Sequence, residues 1–251
     1  MKLGIIYTGF NNFKYAKQSI LPWIVLKNLY PNNFFISAVS IPFLEYKNEN
    51  IKADNTDKFL KTLEEAEFID KCFDQPKFLK ENDARNLALF ELLKKNLDYI
   101  MIVDSDELYT IENIQNIIKY IQTNEFELYK INFKNYIFDG KTYIDKFCPP
   151  RIYKVKINNG INSFYWDNEI IYNNGTTDKQ LKTIEIPKEI AYIKHMTWLN
   201  ENGKQKVEYH KKHFGGCSYI WDEDNQELKL DLEYYDRMGY ERPNIYKEEL
   251  S

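Results

Sequence analysis

The sequence predicts an α/β fold: a mainly parallel, mixed sheet flanked by helices, built as a single domain with two lobes. Three observations predict it. Short apolar runs of strand length alternate with helix-length periodic segments through the first half of the chain. The second half switches to strand signals separated by loops rich in Asn, Gly and Asp. No internal repeat and no Gly/Ser-rich or Pro-rich linker separates the halves. With 251 residues, 43% hydrophobic and 29% charged, the chain can bury a sizeable core without disulfides or metals and reads as globular.

The elements follow in order. Leu3 to Tyr7 is a buried-strand pattern ending at Thr8-Gly9. Tyr15 to Leu29 carries Ile20, Trp23, Ile24 and Leu26 at three-and-four spacing and reads as a helix despite Pro22, with Pro31 as its stop. Phe34 to Val39 is a second strand. Thr56 to Phe68 is helical, with Phe59, Leu60 and Leu63 on one face. Asn82 to Lys95 is the strongest helix: Ala84, Leu87, Ala88 and Leu92 fall on one stripe, Asn82 or Asp83 can cap it, and Asn96 ends it. Tyr99 to Val103 is a buried strand and Ile111 to Ile121 a helix. Beyond them, Leu128 to Phe138, Arg151 to Ile157 and Ile190 to Ile193 read as strands and Asn200 to Phe214 as a helix. The acidic, aromatic tail from Trp221 has no clear pattern.

Several function classes are disfavoured. Lys plus Arg is 34 against 38 Asp plus Glu, a formal charge of -4, so a generally basic nucleic-acid surface is not expected. Cys72, Cys148 and Cys217 are odd in number and far apart, which fits neither a disulfide framework nor a zinc ribbon. The apolar part of the N-terminus is too short for a signal peptide, and no run approaches the ~20 residues of a membrane helix. The expected location is cytoplasmic, and Asn174-Gly175-Thr176 is a chance sequon. Of the 16% aromatic residues, no single one carries weight by itself, since Asn, Lys, Ile and Tyr are abundant throughout.

The sharpest feature is Tyr99-Ile100-Met101-Ile102-Val103-Asp104-Ser105-Asp106-Glu107, a hydrophobic strand that ends in two aspartates one residue apart. If strand geometry persists for two residues, both carboxylates point to the same side. In an open parallel sheet that place is the carboxyl edge, where ligands bind. Two close carboxylates need a cation, and hard oxygen ligands suit Mg²⁺ or Mn²⁺. The blander reading is an acidic turn capping the helix from Ile111.

Asn82-Asp83-Ala84-Arg85-Asn86-Leu87-Ala88 opens the helix just before this strand. The order of Ala-Arg-Asn helix, hydrophobic strand and Asp-x-Asp-Glu resembles the family 2 glycosyltransferases with the Rossmann-like GT-A fold. The resemblance covers Met1 to Ile121 in layout and is most specific from Asn82 to Leu108. It implies that Asp104 and Asp106 hold Mn²⁺ or Mg²⁺ on the diphosphate of a nucleotide-sugar donor, and that Ser105 lines the donor site. It implies further that Arg85 faces the nucleotide or its phosphates, that Tyr7, Thr8 and Gly9 meet the nucleoside, and that His195 is a further metal ligand. A guanidinium can fork onto phosphate or base oxygens; the blander role for Arg85 is a surface ion pair. On this resemblance residues 1–125 form a donor lobe, 126–220 an acceptor lobe and 221–251 a tail.

An inverting transfer needs a carboxylate to take the acceptor proton. Trp166-Asp167-Asn168-Glu169 offers Glu169, slightly preferred, and Asp167. Trp166 would stack on an acceptor sugar or pack in the core. His210 and His213 are three apart but flank Lys211 and Lys212, which favours a solvated face, as for Lys204 and Lys206. The role of Pro149-Pro150-Arg151 is open. Ser37-Ala38-Val39-Ser40-Ile41-Pro42 lacks the acidic residues that grip the base in many members, so the donor base is open. The acceptor is a carbohydrate, glycolipid, protein or modified nucleic-acid base, and oligomeric state is undetermined. Two alternatives stand beside this expectation. One is a phosphatase of the haloacid dehalogenase type with Asp104 as nucleophile and Asp106 as acid/base. The other is a nucleotide-sugar-binding relative without turnover.

Overall fold

The computed structural model describes residues 1–42, 54–74, 78–166 and 168–248. In chain order the elements are β1 (Leu3–Thr8), α1 (Phe13–Leu29), β2 (Phe34–Val39), α2 (Thr56–Glu65), β3 (Lys71–Phe73), α3 (Glu81–Leu93), β4 (Tyr99–Asp104) and β5 (Glu107–Leu108). They continue as α4 (Ile111–Thr123), β6 (Leu128–Lys130), β7 (Asn132–Phe138), β8 (Thr142–Phe147), β9 (Pro150–Lys154), β10 (Ile161–Trp166), β11 (Glu169–Tyr172) and β12 (Thr183–Glu185). The last are β13 (Tyr192–Leu199), α5 (Asn200–Phe214), β14 (Tyr219–Asp222), β15 (Glu227–Leu230), α6 (Leu232–Met238) and β16 (Tyr246–Lys247).

The chain divides into two compact units, Met1–Ile131 with Cys148–Tyr192, and Asn132–Phe147 with Ile193–Ser251. The first unit is a mixed α/β layer structure around a seven-stranded sheet of order β12-β6-β9-β4-β1-β2-β3. Strands β4, β1, β2 and β3 run parallel, β9 is antiparallel to both its neighbours, and β12 is parallel to β6. β1 is buried along its whole length, as a parallel central strand must be. Alternation sends its side chains to two helical layers. Ile6, Ile100 and Ile102 pack with Ala84, Ala88, Leu89 and Leu92 of α3. Tyr7, one residue on, points the other way and bonds to Ser19 and the Ala16 carbonyl of α1. The β10–β11 hairpin packs on the α3 side through Phe164 and Ile170.

In the second unit β16, β8, β7 and β13 neighbour one another in a sheet, and β14–β15 forms a separate hairpin. Ile137, Val207, Cys217, Tyr219 and Leu228 make its core. Tyr143 of β8 stacks on Tyr246 of β16 and lies tilted against Tyr136 of β7.

Several expectations need correction. α2 stops at Glu65, short of Phe68. α3 begins at Glu81 after an extended Lys80, so Asn82 and Asp83 lie inside its first turn and do not cap it. Asn96 does end the segment, in a left-handed conformation at φ 51° that asparagine tolerates. The apolar run Leu128 to Phe138 is two strands broken at Ile131, where the chain passes from one unit to the other. The late strand is β13, not Ile190 to Ile193. α4 is capped by Thr110, whose hydroxyl accepts from the Asn113 backbone while Asn113 answers to the Thr110 N–H. The Asp-Ser-Asp turn therefore is not a helix cap. Among the described residues no helix is long and apolar enough to cross a membrane.

Candidate active site

Strand order reverses between β1 and β4: from β1 the chain moves outward to β2 and β3, then returns to β4 on the other side. Open α/β sheets bind ligands in the crevice outside such a switch point, at the carboxyl ends of the strands. Here those ends are adjacent, with Thr8 in register with Asp104. The Ser105 N–H donates to the Thr8 carbonyl at 2.8 Å, and the Gly9 N–H to Val39 at 3.0 Å. A Cβ on Gly9 would lie 2.9 Å from Ser105 Cβ, so the two turns approach too closely for a side chain there. The Asn12 amide donates to Ser105 Oγ at 2.9 Å, and Asp54 Oδ2 accepts from the Phe13 N–H at 2.8 Å at the start of α1. The loop after β1 is thus held at three points.

Strand geometry ends at Asp104, so Ser105 and Asp106 belong to a turn and the same-side argument does not extend to Asp106. Asp104 itself continues the Ile100, Ile102 parity and faces α3. There Arg85 lies on the buried stripe with Ala88, Leu89 and Leu92. Arg85 is only 1% exposed, not a surface ion pair as the blander reading has it, and its Nη2 meets Asp104 Oδ1 at 3.0 Å and Glu81 at 2.6 Å. From the opposite side comes Arg151 of β9, on the same face as Tyr153. Its Nη2 donates to Asp104 Oδ2 at 3.3 Å and to Glu107 Oε1 at 2.5 Å, and its Nε to the same Glu107 oxygen at 3.0 Å. Burial alone would favour the neutral guanidine, but the Glu107 and Asp104 carboxylates more than offset it and hold Arg151 cationic. Glu107 is fully buried and also accepts from Tyr109 at 3.0 Å; burial and that carboxylate push the phenol well above its ordinary range.

The helix that carries Arg85 also seats the hairpin. The Asn86 side chain brackets Phe164 like a strand partner, accepting from its N–H at 2.7 Å and donating to its carbonyl at 3.0 Å. On this hairpin Glu169 accepts from Tyr165 at 2.6 Å and faces Lys179 at 3.5 Å. Tyr165 is also 3.4 Å from Asp178, whose carboxyl is raised by burial and then by the Glu169 charge. Trp166 is 69% exposed, which corrects the core-packing alternative. Asp167 lies outside the described residues.

Other expected positions fall as follows. Tyr7 is a core residue with no exposed surface, its hydroxyl held by Ser19 and its ring beside the Gly9 turn. Thr8 is buried at that edge, and its hydroxyl has no hydrogen-bond partner among the described residues. His195 belongs to the second unit, stacked on Phe147 and tilted against Phe133, with Nδ1 2.7 Å from Asn135 Oδ1. The Asn135 Oδ1 can only accept, so Nδ1 donates in this contact. His210 is half-buried beside the Tyr209 ring and not on the solvated face expected of it, and burial with the Lys206 charge pulls it down to about 4. Lys204 is an exposed ion pair with Glu223 at 2.7 Å.

Sequence reasoning left Arg151 open and passed over Glu107, Asn86 and Tyr109. A signal for Arg151 exists: a lone charge inside the apolar strand Pro150-Arg151-Ile152-Tyr153 is rarely tolerated without a buried partner.

Among the described residues no three His, Cys, Asp or Glu side chains converge as a ready-made cation cage. Mg²⁺ needs none, since it is bound by one or two carboxylates plus substrate phosphates. Asp104 and Asp106 supply carboxylate oxygens of the hard type such an ion takes, and both Asp104 oxygens also meet guanidinium groups.

No protein-family model and no curated protein matches the sequence. Among solved structures, the chain is similar to TarS from S. aureus with a TM-score of 0.49 and 14% identity over 84% of this chain and 39% of that one. A complex of TarS residues 1-349 with UDP-GlcNAc gives 0.40 and 18% over 54% and 35%. A putative nucleotide-diphospho-sugar transferase from Desulfovibrio desulfuricans G20 gives 0.37 and 10% over 85% and 90%. In these two TarS comparisons the chain spans 35% to 39% of the other structure.

Proposed function

We propose that this chain is a metal-dependent glycosyltransferase of the GT-A type, which moves a sugar from a nucleotide-sugar to an acceptor hydroxyl with inversion. The observation that carries the reading is the β1–β4 switch point, where Asp104 sits between two buried arginines beside the Thr8-Gly9 turn. Such a site offers fixed positive charge and hard oxygen ligands at the place where a diphosphate docks in this sheet class.

Asp104 and Asp106 would hold Mn²⁺ or Mg²⁺, which when bound neutralises charge on the departing diphosphate. Arg85 contributes fixed charge to the same leaving group at no reorganisation cost, because Glu81 and Asp104 already orient it. Ser105, Thr8 and Gly9 line the nucleoside side. Glu169, or Asp167, takes the proton from the acceptor oxygen as that oxygen attacks the sugar carbon from the face opposite the leaving diphosphate. Tyr165 orients the Glu169 carboxylate. Exposed Trp166 offers a flat face to an acceptor sugar.

The test incubates the purified protein with UDP-, GDP-, CDP- and dTDP-sugars, with and without Mn²⁺, and measures nucleoside diphosphate release. The reading expects release from one nucleotide series, dependent on Mn²⁺ and reduced at least ~100-fold in Asp104→Asn. Release that is unaffected by Asp104→Asn refutes it.

A further inference from the structure

Glu107 has no part in the reading above and Arg151 enters it only as charge beside Asp104, yet among the described residues they are two of the most deeply buried charges, 0% and 3% exposed. Their contacts form a continuous line. The Tyr109 ring packs edge-on against Trp23 at 5.2 Å in the core, and its hydroxyl donates to Glu107 Oε2. Glu107 Oε1 takes both Nε and Nη2 of Arg151, which fixes the guanidinium plane. Arg151 Nη2 then reaches Asp104 Oδ2, while Arg85 holds Oδ1. Each oxygen of one carboxylate therefore has its own guanidinium, and each guanidinium has a second carboxylate behind it.

Stability does not explain this arrangement. A buried ion pair is often no more stable than apolar residues of the same volume. What the pair supplies is orientation: the Asp104 carboxylate is fixed before any ligand arrives.

We propose that Glu107 and Arg151 are positioning residues for the nucleoside-diphosphate site, acting through Asp104. The proposal rests on the glycosyltransferase reading and extends it to Glu107 and to an orienting role for Arg151 that the reading does not give. It accounts for a charged residue at the start of apolar β9 and a fully buried glutamate directly after the Asp-Ser-Asp turn.

The test is the paired variant Glu107→Gln/Arg151→Met, which removes both buried charges together and so avoids stranding either. Melting temperature is measured alongside calorimetric titration with UDP, GDP, CDP and dTDP in Mn²⁺. For the nucleotide that wild type binds, the paired variant is expected to melt within about 4 °C of wild type. Its Kd should nevertheless rise ~10-fold or more, the scale on which residues orienting a ligand group act. Arg151→Lys, which keeps the charge but loses the fork, should weaken binding to an intermediate degree. If the paired variant fails to fold, Arg151→Lys decides alone: an unchanged Kd overturns the proposal. Equal Kd for wild type and a folded paired variant overturns the positioning role and leaves the glycosyltransferase reading standing. A wild type that binds none of the four nucleotides overturns both.

Discussion

On the proposed reading the end of β4 and the β10–β11 hairpin carry the chemistry of the first unit, and they are built in opposite ways. At the strand end the charges are buried and held by one another: Arg85 and Arg151 are almost fully enclosed, with Asp104 between them. On the hairpin, Trp166 is exposed and Glu169 is held by one tyrosine at the edge of solvent. The difference matches what each place would meet. A diphosphate carries the same charge in every donor, so a rigid, preorganised cluster suits it. An acceptor varies, and an exposed hairpin can change its side chains without disturbing the core. The two are joined by α3, since Arg85 and Asn86 are neighbours, one facing the strand end and the other gripping Phe164.

This contrast can be broken from either end. Arg151→Met alone should have the largest effect, because it strands the Glu107 charge in the core; a loss of about 3–5 kcal/mol in urea unfolding is expected. Glu169→Gln should lower transfer to acceptor by ~10²–10⁴-fold with nucleotide binding unchanged, as steady-state rates and calorimetry would show. If nucleotide binding falls with it, the hairpin is not a separate acceptor site. Gly9→Ala should cost about 1–3 kcal/mol by denaturant titration, since its Cβ meets Ser105 at 2.9 Å. Trp166→Ala should change stability by no more than ~0.5 kcal/mol while raising the KM for acceptor.

A smaller effect lies in the second unit and involves pH. His210 has a folded-state pKa of about 4, below its ordinary 6.5. Its contribution to stability is complete above pH 6.5 and is lost as pH falls toward 4, because the unfolded chain takes up the proton first. His210→Gln should flatten that part of the melting-temperature profile and leave the profile above pH 7 unchanged.

Legibility in the sequence followed periodicity. β1, β2 and β4 and the helix α5 were readable because apolar runs or three-and-four spacing marked them. The short strands β3 and β12 and the β10–β11 hairpin were not. Three or four residues give no period, and Asn-Ser-Phe-Tyr-Trp alternates too weakly. The break at Ile131 was invisible because both halves of the run are apolar. At the site, Asp104 and Arg85 stood out by their order along the chain. Arg85 also shares its buried stripe with Ala88 and Leu92, a spacing visible in the sequence whose apolar members alone signal a helix face. Arg151 is 44 residues from Glu107, a pairing that only the fold reveals.

The most direct test of the central claim is the melting temperature of the wild-type protein with each nucleoside diphosphate, with and without Mn²⁺. A ligand that binds only the folded state raises the melting temperature by mass action. The account predicts a manganese-dependent rise with one nucleotide series, which would also identify the donor base, and its loss in Asp104→Asn. No rise with any nucleoside diphosphate, in a protein that melts cooperatively, would contradict it.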